Sequence, residues 1–344
     1  MASRRMLLKS ATAALTLSAL IPGMAVAADP TRVVATFSIL GDMVERIGGE
    51  HVTVSTLVGP NGDGHVYQPT PSAARDVSQA EVLIFNGLEF EGWLDRLVEA
   101  SNFSGELVVA TAGIEPIAFE EGHDDHDDHS DDKHDDHDDH AEDKHDDHDD
   151  HEGENHADHG DDHHGHNHGV FDPHAWQSLT LAVTYVDNIT AALAKADPAN
   201  AASFYENRAA YVAEIEALNA EISTLFGALP EDKRTVVTSH DAFQYFGKEY
   251  GLTFLAPQGL STESDVSAKD IAELIEHMRE DGISAVFLEN ITDARLLEQI
   301  ANETDATIGG TLYPGALSDA DGPASTYLDM IRHNASTLAA ALGS

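Results

Sequence analysis

The 344-residue chain contains no cysteine. That excludes disulfides and thiolate metal ligands, and it leaves no cysteine to carry a lipid anchor. Basic residues are also scarce, 18 Lys and Arg against 62 Asp and Glu, for a net charge of −44. A surface this acidic repels nucleic acid and anionic membrane and attracts cations, so a nucleic-acid partner is not expected. Past the N-terminus no apolar run reaches the roughly 18 residues of a membrane helix. Apolar residues still make up 42% of the chain, enough for a sizeable core, and the length gives room for two ordinary domains.

The N-terminus has the form of an export signal. Residues 3–10, SRRMLLKS, are basic, an apolar stretch runs from Ala11 to Ile21, and Ala25–Ala27 offers the small residues a signal peptidase cuts. Residues 1–27 are therefore expected to be removed. The adjacent Arg4 and Arg5 leave the general and twin-arginine routes both open. The expected location is the periplasm, as an exported monomer without a membrane anchor.

From Thr31 the chain alternates strand-like runs (RVVATFS, HVTVSTLV, EVLIFNG, GELVVAT) with helical spacings, the pattern of a parallel sheet covered by helices. Residues 28–119 thus form an expected N-terminal α/β lobe. Residues 170–230 carry two long helical patterns, Trp176–Lys195 and Pro198–Leu229, with Asp197 as the expected cap of the second. A second strand–helix series occupies 231–344, with Ser267 and Asp270 spaced as a capping box. The reading is α/β: two similar lobes joined by a long rigid helical segment, with a ligand cleft between them.

Between the first lobe and the helices lies an insertion, residues 120–169, with an 11-residue period beginning HDDHDDHSDDK. It holds 15 of the 21 histidines: His123, His126, His129, His134, His137, His140, His145, His148, His151, His156, His159, His163, His164, His166 and His168. With almost no apolar residues it cannot offset the entropy of ordering, so a disordered metal-free state is expected. Imidazole and carboxylate suit Zn²⁺, Cu²⁺ and Ni²⁺. The repeat offers many equivalent partial sites, which should bind several ions weakly and exchange them quickly.

Three other histidines sit in loops. His65 lies in GPNGDGHVYQPTPS, His174 in FDPHAWQS and His240 in VVTSHDAFQYF. Two of these loops follow strand carboxyl ends, where open α/β sheets place their sites. Taken singly, each could be a surface or strand-end residue. His51, His277 and His333 lie on strand or helix faces without partners and are assigned no role.

Together the segments GDGHVYQPTPS, DPHAWQS, SHDAFQYF, GLSTESDVSAKDI and YLDMIRHN resemble those of the cluster A-I (cluster 9) solute-binding proteins, the ZnuA-like zinc and manganese receptors of ABC importers. The resemblance runs from about Thr31 to the C-terminus apart from the insertion. It implies that His65, His174 and His240 are metal ligands, that Zn²⁺ is bound as cargo, and that the partner is the membrane permease of an ABC importer. Many members carry Asp where this chain has Gly315, so Asp319, Asp321, Asp63 or a water would complete the site, with Asp319 the expected ligand. Alternatives are a manganese receptor of the same family, a permease-independent zinc buffer, and a zinc hydrolase. For a hydrolase, Asp241 is the nearest base, and no HExxH helix accompanies it.

Overall fold

The computed structural model describes residues 29–118, 171–230 and 233–343. The expected signal and the insertion with its fifteen histidines lie outside these. Among the described residues no helix is long and apolar enough to cross a membrane.

The first lobe runs β1 (Thr31–Phe37), α1 (Ser38–Gly48), β2 (Val52–Val58), α2 (Pro71–Gln79), β3 (Val82–Phe85), α3 (Leu94–Ser101) and β4 (Glu106–Val109). The second runs β5 (Thr235–Val237), α6 (Gln244–Tyr250), β6 (Thr253–Leu255), α7 (Ala268–Asp281), β7 (Ala285–Glu289), α8 (Arg295–Thr304) and β8 (Thr307–Leu312). Each holds a four-stranded parallel sheet, ordered β2-β1-β3-β4 and β6-β5-β7-β8. β1 is buried at all but one position, as a central parallel strand covered on both faces must be, whereas the edge strand β2 alternates in exposure. Thr70 caps α2 with Pro71 at its first turn, and Ser267 and Asp270 form the expected capping box on α7.

Two helices join the lobes, α4 (Leu179–Ala196) and α5 (Ala201–Gly227). Their starts differ from the sequence expectation for local reasons. Ser178 accepts from Leu181 N, so α4 begins after it, and Ala175–Gln177 is a short 3-10 turn. Asp197 does not cap α5. Its carboxylate accepts from Asn200 N at 3.3 Å and Asn200 Nδ2 at 2.6 Å, which spends it on the inter-helix turn and leaves Pro198 outside the helix. At ~1.5 Å per residue the 27-residue α5 is a strut of roughly 40 Å. The C-terminal helix α9 (Tyr327–Leu342) packs back on α5, α1 and β8, so it braces both lobes.

The core is continuous across this junction. Phe37, Phe90 and Trp176 meet with ring centroids 4.9–5.0 Å apart. Pro314 O, in the loop between β8 and α9, accepts from both Trp176 Nε1 (2.8 Å) and Gln177 Nε2 (2.6 Å). The same loop is tied to the first lobe, because Leu317 N donates to Ser38 Oγ and Asn61 N donates to Leu317 O. In α6, Gly247 lies so close to the chain that an added Cβ would sit 2.6 Å from Leu252 O. Gly247→Ala is expected to lower stability by about 2 kcal/mol, the overpacking strain exceeding the gain in helix propensity. A thermal melt should show a Tm several degrees lower, with the number of tight metal equivalents unchanged.

Candidate metal centre

The chain crosses from β5 to β6 on one side and returns to β7 on the other, so β5 and β7 flank the point where strand order reverses, the usual ligand crevice of such sheets. His240 follows β5 and Glu289 ends β7. Glu289 Oε1 accepts from the backbone N of Ser239 and His240 at 3.0 and 3.2 Å, and Oε2 accepts from His240 Nδ1 at 2.5 Å. Donation from Nδ1 puts the lone pair on Nε2, which is buried and has no hydrogen-bond partner.

His174 is set the same way. Its backbone N and its Nδ1 both donate to Asp172 Oδ1, at 2.9 and 2.8 Å, and both residues are fully buried. Asn86, at the end of β3, donates from Nδ2 to Pro173 O at 2.9 Å and accepts the Tyr185 hydroxyl at 2.7 Å. Glu91 supports Asn86 and Gly87 by accepting from their backbone N–H groups. His65 hangs on the loop after β2, where its backbone N donates to Asp63 Oδ1 and its ring stands edge-on to Phe90 with centroids 4.6 Å apart. Gly64 admits that approach, since a Cβ there would lie 2.7 Å from the Phe90 ring. Asp63 Oδ2 accepts from Thr262 Oγ1 of the second lobe at 2.5 Å, so the loop is anchored across the cleft.

The three rings converge. His65 Nε2 and His174 Nε2 are 3.2 Å apart, and one nitrogen of each of the three lies within 4.8 Å of the others. Nitrogens bound tetrahedrally to one Zn²⁺ at ~2.0–2.1 Å sit about 3.3 Å apart, so a small inward shift of one ring completes that spacing. Burial, together with the neighbouring imidazoles, holds His65 and His174 well below the ordinary histidine pKa, which keeps them neutral and able to ligate. At His240 burial pushes down, but the charge and hydrogen bond of Glu289 push up further, and the net direction is up. Burial raises Asp172 to about 7.

Asp319 is not among the converging residues of this structure. Asp319 is exposed and accepts from Asn61 Nδ2 at 3.1 Å, while Asn61 Oδ1 accepts from Asn290 Nδ2, so its carboxylate is turned into a contact between the lobes. Asp321 is exposed, and Asp63 is engaged with Thr262. Gly315 has only Ile291 and Trp176 atoms near its Cβ direction, both at 3.8 Å, so the position is open but supplies no ligand. Asp241 accepts from Gln244 Nε2 at 2.7 Å. Sequence reading missed Glu289, whose only signal is an acidic residue closing the apolar run AVFLE, and it gave Asp172 no part in holding His174.

Two α/β lobes on a helical strut, with a buried imidazole cluster where they meet, define a metal receptor, and comparison with known proteins agrees. The family model described as "Zinc-uptake complex component A periplasmic" matches residues 33–341, and the chain belongs to that family, the periplasmic metal-binding substrate receptors of ABC transporters. The manganese-binding lipoprotein MntA of Bacillus subtilis is 31% identical over 316 residues, 90% of this chain and 89% of that protein. The iron-binding protein YfeA of Yersinia pestis is 29% identical over 312 residues, 91% of this chain and 86% of that protein. Among solved structures, the periplasmic zinc binding protein TroA of Treponema pallidum superposes with a TM-score of 0.74 at 26% identity, covering 91% of this chain and 99% of that one. A manganese-bound S38A mutant of the periplasmic metal binding protein from Candidatus Liberibacter asiaticus gives 0.73 at 29% identity with the same coverages.

Glu289 should matter for both affinity and its pH dependence. Glu289→Gln is expected to weaken metal binding about 10–100-fold at neutral pH, the usual cost of losing a carboxylate behind a ligating imidazole. In the wild type, one proton competes with metal at His240. Because that pKa is raised, affinity should begin to fall above pH 6.5 as pH drops, while His65 and His174 stay neutral far lower. Titrations from pH 8 to pH 5 should show the onset shifted to lower pH in Glu289→Gln, and an unchanged onset would contradict the coupling.

Proposed function

We propose that the protein binds Zn²⁺ as cargo at His65, His174 and His240 in the periplasm and delivers it to the permease of an ABC importer. The observation that carries this reading is the buried, unpartnered Nε2 of His240 facing two other neutral imidazoles. The lone pair at His240 Nε2 lacks a partner until a cation arrives, and three imidazoles suit Zn²⁺, whereas Mn²⁺ favours more oxygen. The relatives are named for iron, manganese and zinc, and the three-imidazole set of this chain supports Zn²⁺ among them. With Asp319 engaged elsewhere, a water fills the fourth position. The His- and Asp-rich insertion is an auxiliary store that collects or buffers zinc before transfer.

Zinc titration of three chains tests the proposal. The wild type is expected to show one tight equivalent and several weak ones. Deleting residues 123–168 should remove the weak equivalents and keep the tight one, and His65→Ala should do the reverse. A tight equivalent that survives His65→Ala and vanishes with the insertion would place the transport site in the insertion. Competition should show Zn²⁺ displacing Mn²⁺ from the tight site, and preference for Mn²⁺ would reverse the assignment of metal.

A further inference from the structure

Residues 119–170 leave and rejoin the described chain at a narrow neck. Ala118 and Phe171 form an antiparallel bridge, and Asp172 N donates to Ile117 O at 2.9 Å. The Tyr245 hydroxyl, on α6 of the second lobe, closes the other side. It accepts from Ile117 N at 3.0 Å and donates to Asp172 O at 2.9 Å, so one phenol ties the chain before the insertion to the chain after it. The ring is buried, and burial pushes its pKa up to about 12, so the donated proton stays in place.

His174 lies two residues beyond Asp172, and its backbone N and Nδ1 both rest on the Asp172 carboxylate. Any splaying of the neck therefore moves Asp172 and turns His174 with it. The sequence beyond the neck supplies a force in that direction, because residues 120–168 carry 23 Asp and Glu against 2 Lys. Like charges closed into one loop repel one another, most strongly at low salt. Among the described residues, the bridge and the Asp172 N to Ile117 O hydrogen bond restrain the neck alongside Tyr245.

The geometry points to Tyr245 as a positioning residue for the metal centre: its hydroxyl holds the neck of the insertion shut, so that His174 keeps its place whatever the insertion carries. This rests on His174 being a ligand, and it adds a residue that touches no metal yet separates the two kinds of metal-binding sequence.

Tyr245→Phe keeps the ring and removes the hydroxyl. Zinc release from the tight site is followed by transfer to a chelator, in full-length wild type and variant, at about 20 mM and about 500 mM salt. The variant is expected to release zinc about tenfold faster than wild type at low salt. At high salt, where screening shortens electrostatic reach to a few ångström, the ratio should fall towards one. In a chain with residues 119–170 replaced by a Gly-Gly turn, Tyr245→Phe should leave the rate unchanged. An equal loss at both salts or in both chains overturns the inference and makes Tyr245 a local support, and so does no loss anywhere. Tyr250→Phe removes a hydroxyl that donates to Asn219 away from the neck, and should keep wild-type rates. His174→Ala reads the underlying site: a tight equivalent surviving it refutes the metal assignment, whereas one lost with it but indifferent to Tyr245→Phe refutes only the role of Tyr245.

Discussion

Everything in this molecule turns on keeping three imidazoles, two of them held neutral by burial, tilted edge-on to one another in a largely buried space. Such an arrangement wastes hydrogen-bonding capacity, since His240 Nε2 has no partner and His65 and His174 can satisfy only each other. It persists because the opposite side of the rings is fixed. Carboxylates of Glu289 and Asp172 take the Nδ1 protons of His240 and His174, while the backbone of His65 is set by Asp63. The fold therefore holds the three ring nitrogens close together, with the lone pair of His240 Nε2 unpartnered.

The supporting structure is correspondingly stiff. The three histidines come from both lobes and from the junction, so relative movement of the lobes would disperse them. Against that stand the α5 strut, the α9 brace, the aromatic cluster of Phe37, Phe90 and Trp176, and the loop after β8 gripped at Pro314 and Leu317. The cross-cleft contacts of Thr262 with Asp63 and of Asn61 with Asp319 and Asn290 add polar ties near the site. Metal exchange in such a frame is a matter of small loop and ring shifts, which gives individual positioning contacts leverage over release.

Much of the fold was legible in the sequence for physical reasons. Short β-branched runs such as RVVATFS favour buried strands, and Ser267 with Asp270 announces a capped helix. Asp197 misled because an Asp before a proline can serve a helix start or a turn, and the competing Asn200 three residues on decided for the turn. The histidines were visible as residues, but their convergence depends on strand order, which no local spacing encodes. Glu289 was hidden because an acidic residue ending a strand looks like any solvated terminus until the crossover at β5 and β7 sets it behind His240. The direction of the Asp319 side chain was not legible either: its carboxylate accepts from Asn61, a residue 258 positions away in the chain. The loudest metal signal, the His-rich repeat, marks the chemistry of the neighbourhood, whereas the folded centre is made by three scattered residues.

The most direct test of this account is zinc K-edge X-ray absorption on the full chain loaded with one equivalent of Zn²⁺. The account predicts three imidazole nitrogens at about 2.0–2.1 Å with one further light ligand, a four-coordinate shell. A shell dominated by carboxylate oxygen, unchanged when His65, His174 and His240 are replaced by alanine, would contradict it.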